Sequence, residues 1–117
     1  MQWAAIVLVL AALGGLVVAG IRLSGAPRPP TWVALGHGAV AATGLGLLIY
    51  AAAVSPGIPF LAQVALGVLL LAAVGGATLF LGFHLREKPL PIPLVLGHGV
   101  TALVGVVLLL LTWLGLV

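Results

Sequence analysis

Four apolar stretches, each long enough to cross a bilayer and separated by proline-bearing connections, constrain this chain more than any other feature. About 20 apolar residues rising 1.5 Å each span the hydrocarbon, and residues 3–23, 32–53, 60–83 and 92–116 all meet that length. Only three short connections remain: Gly25-Ala26-Pro27-Arg28-Pro29-Pro30, Ser55-Pro56-Gly57-Ile58-Pro59 and Arg86-Glu87-Lys88-Pro89-Leu90-Pro91-Ile92-Pro93. Proline suits a helix entry, where its missing N–H costs nothing, and turns this short join antiparallel neighbours. The expected fold is therefore all-α, a single integral membrane domain over residues 1–117 built as a four-helix bundle. The first stretch has no basic leader and no clear cleavage site, and reads as a retained helix.

Composition narrows the chemistry. Only 4% of the residues are charged, against about a quarter in soluble domains, which excludes an ordinary water-soluble fold. The net charge of +3 rests on four basic side chains, too few to neutralise a run of phosphates, so no nucleic-acid partner is expected. Cysteine is absent, which removes disulfides, zinc thiolates, iron–sulfur clusters and thiol nucleophiles. Asp and Asn are absent too, and Glu87 is the one acidic side chain. Paired-carboxylate catalysis, EF-hands and Ser-His-Asp triads cannot be assembled from these residues.

Orientation follows from the cations. Arg22, Arg28, Arg86 and Lys88 all fall in or beside the first and third connections, and the middle connection has none. The positive-inside rule places the first and third connections in the cytoplasm and both termini outside, in a membrane expected to be the bacterial inner membrane.

The sequence also matches itself at an offset of 61 residues. Val7-Leu8 falls on Val68-Leu69, Leu10-Ala11-Ala12 on Leu71-Ala72-Ala73, Gly14-Gly15 on Gly75-Gly76, and Leu35-Gly36-His37-Gly38 on Leu96-Gly97-His98-Gly99. Ala41, Gly44, Leu47 and Leu48 continue onto Ala102, Gly105, Leu108 and Leu109, and Gln2, Ala4 and Pro30 onto Gln63, Ala65 and Pro91. Leu and Ala matches are cheap between apolar helices; duplicated Gly-Gly and Leu-Gly-His-Gly are not. The offset spans two helices, so residues 1–56 and 62–117 read as two parallel two-helix repeats related by a pseudo-twofold axis along the membrane normal. At 100° per residue, the matched Ala, Gly and Leu lie at about +40°, −20° and +20° from each His. They make one stripe, expected to face the bundle axis, with small residues admitting a close neighbour or a flat ligand.

His37 and His98 would then sit at one depth on facing helices. Bundles commonly hold cofactors between such side chains, and two neutral imidazoles suit low-spin iron that passes electrons. The expected cofactor is one haem b per chain, with His37 and His98 as its ligands and Ala41, Ala102, Gly44 and Gly105 beside it. Arg22 and Arg86, with Lys88 or Arg28, would meet its propionates. The opposing reading makes each His an interfacial packing residue hydrogen-bonded to a carbonyl. His84, in the last turn of the third stretch, aligns with Arg22 after a one-residue gap and reads first as packing. A third metal ligand, a propionate partner or a proton relay are its other roles.

Four antiparallel helices carrying inward His37 and His98, each in Leu-Gly-His-Gly, resemble the membrane b-type cytochromes, in particular the four-helix core of cytochrome b561-like proteins. That resemblance implies bis-histidine haem and electron transfer between a membrane donor and acceptor, a quinone or a redox partner protein. It also implies two haems, one near each membrane face, whereas this chain has no His near the outer face. A one-haem relative, or a subunit working beside another cofactor protein, is the form that fits.

Two other functions are weighed. One is a small accessory subunit of a larger respiratory or photosynthetic complex, or a homo-oligomer. The other is a small transporter or channel, disfavoured because coupled cation export needs a membrane-embedded carboxylate and Glu87 lies in a turn. The Gly-Gly pairs are expected at close helix contacts. Trp3, Trp32, Tyr50 and Trp113 read as an aromatic belt, and Thr43, Thr78 and Thr101 as donors within their own helices.

Overall fold

The computed structural model describes residues 1–117. Helices α1 (Gln2–Leu23), α2 (Thr31–Val54), α3 (Phe60–Leu79) and α4 (Ile92–Trp113) follow in order, and a π-helical turn, Phe80–His84, extends α3. Within hydrocarbon every backbone N–H and C=O must be paired inside the chain, which favours uninterrupted helices. All four are long and apolar enough to cross a membrane, α3 and the π turn counting as one span. Pro30, Pro59 and Pro91 are the N-caps of α2, α3 and α4, and Pro93 lies in the first turn of α4, as proline's preference for helix entries dictates. Gly115, with φ at +69°, closes the fourth helix near Trp113, short of the expected residue 116.

The helices pack as two hairpins, α1 on α2 and α3 on α4, joined mainly where α1 meets α4 and more lightly where α2 meets α3. The bundle measures 44 × 23 × 18 Å, longer than the roughly 30 Å hydrocarbon layer. Its main core consists of Ala4, Ala5, Leu8, Leu48, Ala62, Ala65, Leu69, Val106 and Leu109. Alanines at these positions let the helix backbones approach, the usual basis of association where lipid is as apolar as the side chains. The leucines and valines that point outward, among them Leu13, Leu16, Leu71, Val74 and Leu103, are more than half exposed. Water would drive such a belt into a core; facing lipid it needs no cover, and this is an integral membrane architecture.

The first and third connections meet at one end of the bundle. The Leu90 N–H donates to the Pro27 carbonyl at 3.0 Å and Arg22 Nε to the Leu90 carbonyl at 2.8 Å, so all four cations gather at this basic end. Leu79, Leu90 and Val95 form a small second core beneath it. The expected single helix over 60–83 changes pitch there: Leu85 and Lys88 donate to carbonyls five residues back, at Phe80 and Phe83. Single π turns of this kind are frequent at functional sites, and this one ends at the buried His84. Trp32 lies at the basic end and Trp3, Tyr50 and Trp113 at the opposite one, all on the surface.

Candidate functional site

α2 carries His37 and α4 carries His98 into the middle of the bundle, with ring centroids 6.2 Å apart and planes at 76°. Each ring is half-buried. His37 Nδ1 bonds to the Ala11 carbonyl on α1 at 2.9 Å, and His98 Nδ1 bonds to the Ala72 carbonyl on α3 at 2.8 Å. A carbonyl oxygen only accepts, so each Nδ1 carries the proton, and in the neutral ring the lone pair belongs to Nε2. That is how a ligating histidine is commonly held, with its far nitrogen fixed by a carbonyl and its near one left to a metal.

Glycines make the fit possible. A Cβ on Gly15 would lie 3.0 Å from Cε1 of His37, and one on Gly76 would lie 3.0 Å from Cε1 of His98. Gly14 and Gly75 border the same rings, with built Cβ positions 3.7 and 3.6 Å from Nδ1. The neighbour expected for each Gly-Gly pair is thus an imidazole on the next helix of the same hairpin. Ala11, Ala72 and both Gly-Gly pairs had no assigned place in the site. Their signal was in the sequence, since all of them fall within the 61-residue match.

The other candidates are distributed differently. Gly44 and Gly105 lie where α2 meets α1 and α4 meets α3. Their built Cβ positions come 2.7 Å from Leu8 Cγ and 2.6 Å from Leu69 Cγ. Leucines occupy the space beside these two glycines, which therefore serve close helix approach. The stripe containing His37 and Gly44 turns toward α1, and that containing His98 and Gly105 toward α3, while the two rings meet between the hairpins. Ala41 and Ala102 are half-buried one turn beyond each His. Arg22 is tied to Leu90, and Arg86 is exposed. Thr43, Thr78 and Thr101 donate to carbonyls four residues back on their own helices.

His84 stands apart from the pair, and nowhere do three His, Cys, Asp or Glu side chains converge. Its ring is 4% exposed, stacks on Phe80 at 5.3 Å and shares a 3.1 Å hydrogen bond between Nε2 and the Thr31 hydroxyl. Its Nδ1 is buried without a partner.

Fold and site together define a four-span membrane bundle with two carbonyl-anchored imidazoles between its hairpins. No protein-family model matches the chain, and no curated protein or solved structure is significantly similar to it.

Proposed function

We propose that the chain is a membrane b-type haem protein that transfers electrons through one haem b, which His37 and His98 would hold. The observation that carries this reading is the matched anchoring of the two rings: both Nδ1 atoms donate to a helix carbonyl 26 residues upstream. Two Nε2 lone pairs are left on facing helices, and the 6.2 Å centroid separation suits one metal ion between them, at about 2 Å per metal–nitrogen bond. When bound, the haem would supply a reversible one-electron couple, with His37 and His98 as the side chains that hold it. The protein's part is to orient both imidazoles through the Ala11 and Ala72 carbonyls, with Gly15 and Gly76 against the ring edges. Arg22, seven residues beyond Gly15 on α1 and tied through Nε to the Leu90 carbonyl, and the exposed Arg86 are the cations we read as propionate partners. Since the two sites share all their partners at one offset, we read the halves as copies of a two-helix unit about a pseudo-twofold axis. We orient the basic end toward the cytoplasm, and a membrane quinone or a redox protein is the partner class.

Substitution tests the ligand assignment. His37→Ala and His98→Ala should each lose haem retention in the purified protein, measured as haem per chain by pyridine haemochrome, while His84→Ala retains it. Full retention in either of the first two would sink the assignment. Haem-free chains that copurify with a larger respiratory or photosynthetic complex would instead make this an accessory subunit.

A further inference from the structure

The two hairpins are tied together unevenly. Every hydrogen bond that crosses between them lies at the basic end: the Leu90 N–H to the Pro27 carbonyl, Arg22 Nε to the Leu90 carbonyl, Arg28 Nη1 to the His84 carbonyl at 3.1 Å, and the 3.1 Å bond between His84 Nε2 and the Thr31 hydroxyl. The last two both end on His84. They hold the first connection and the start of α2 against the end of α3, the lighter of the two seams between the hairpins. α2 depends on such ties. Its buried residues, Gly44 and Leu48, both lie in its second half, and from Thr31 to Thr43 no residue is fully buried. The one other side-chain tie of that half to a neighbouring helix, His37 Nδ1 to the Ala11 carbonyl, stays within its own hairpin. A segment with so little burial is the kind that opens locally once its bonds are lost.

The tie at His84 has room for a neutral ring only. In neutral imidazole one nitrogen donates and the other accepts; a second proton turns both into donors. His84 is 4% exposed and its Nδ1 is buried without a partner, so a protonated ring would carry an unpaired N–H and an uncompensated charge into the interior, which proteins avoid. Its charged neighbours do not compensate. Arg28, from the first connection, meets the His84 carbonyl and has the same sign, and Arg22 of α1 is held by Leu90. Arg86, Glu87 and Lys88 follow on an exposed turn, and Glu87 bonds to His84 through its backbone N–H alone. α2 brings the Thr31 hydroxyl, and the one titratable side chain of α4, His98, is engaged with Ala72. We propose that His84 is a latch released by a proton: neutral, it closes the α2/α3 seam at the basic end; protonated, it leaves its buried position, and the first half of α2 parts from α3. Acid opens the seam because the open arrangement has a place for the proton and the closed one has none. The gap faces lipid beside His37, six residues or about 9 Å along α2 from Thr31. The latch uses neither ring of the His37/His98 pair and stands or falls separately from the haem reading.

The test is pulsed electron paramagnetic resonance between pairs of spin labels on the full chain in phosphatidylcholine bilayers. The chain has no cysteine of its own, so introduced ones are the only attachment points. Labels at Leu35→Cys and Leu81→Cys, both exposed positions, read the α2/α3 seam; labels at Val17→Cys and Leu96→Cys, exposed as well, read the α1/α4 seam. From about pH 8 to about pH 5, the span over which imidazoles change charge, the first distance should lengthen by more than about 2 Å, beyond side-chain adjustment, and the second should not. His84→Gln keeps a polar group toward Thr31 but takes no proton, and should abolish the lengthening; His84→Phe serves if the Gln variant does not fold. A first distance that ignores pH, or equal lengthening across both seams, would overturn the proposal. So would lengthening that survives in the His84 variants, which would assign the titration to His37 or His98 instead.

Discussion

His37 and His98 differ from His84 in what meets their Nδ1 atoms. The first two give Nδ1 to carbonyls one helix away and rest on glycine. The third stacks on Phe80, shares Nε2 with Thr31 and has nothing on Nδ1. A half-buried ring with its proton fixed on one nitrogen and a lone pair on the other is prepared to ligate. A buried ring stacked on Phe80 and bonded to Thr31 is held by its neighbours, with no lone pair set toward the pair. Chemical identity of the side chain does not decide the role; the partner atoms do.

The largest effect that would break this contrast is on haem affinity. Removing His37 or His98 should each lower it by more than about 100-fold, beyond the range typical of outer-shell changes. The double variant should be little worse than either single one, because two ligands to one centre act as a unit. Additive losses in haem titrations would mean two separate sites.

Next come the ring-supporting glycines. Gly15→Ala and Gly76→Ala must push the imidazoles off the 3.0 Å contact, and each should weaken haem binding by about 10-fold or more, to similar extents. Gly20→Ala, with nothing within 4 Å, should leave it unchanged.

The third effect is on stability alone. Gly44→Ala and Gly105→Ala drive a methyl into Leu8 and Leu69 and should cost about 1–3 kcal/mol each by overpacking, read from thermal unfolding in detergent. Gly38→Ala and Gly99→Ala, facing open space, should stay within about 1 kcal/mol of the parent.

The smallest effect belongs to His84. Thr31→Val removes its one side-chain hydrogen-bond partner and should cost about 1 kcal/mol, with the haem spectrum unaltered. A spectral change in this variant would tie His84 to the other pair after all.

The sequence revealed most of the fold because membrane spans are written in length and apolarity. The proline-marked entries of α2, α3 and α4 fall within a residue of the expected 32, 60 and 92. The π turn was not legible, since nothing in Phe80-Leu81-Gly82-Phe83-His84 distinguishes a five-residue hydrogen bond from a four-residue one. His37 and His98 stood out through duplication. Their carbonyl partners did not, because a backbone acceptor has no residue identity to betray it. Gly44 and Gly105 share the helix face of the histidines, so spacing alone set them beside the ligand. Which neighbour fills a glycine's dent, Leu8 and Leu69 here, is decided by packing between helices. The burial of His84 was hidden for a similar reason: Thr31 lies 53 residues away in the chain.

The central claim is that two anchored imidazoles hold one haem, and it is tested most directly by the absorption spectrum of the detergent-purified protein, oxidised and then dithionite-reduced, with haem counted per chain. A sharp reduced α band of low-spin b type, at about one haem per chain, is the predicted result. A protein that stays colourless after expression with added haem would contradict it.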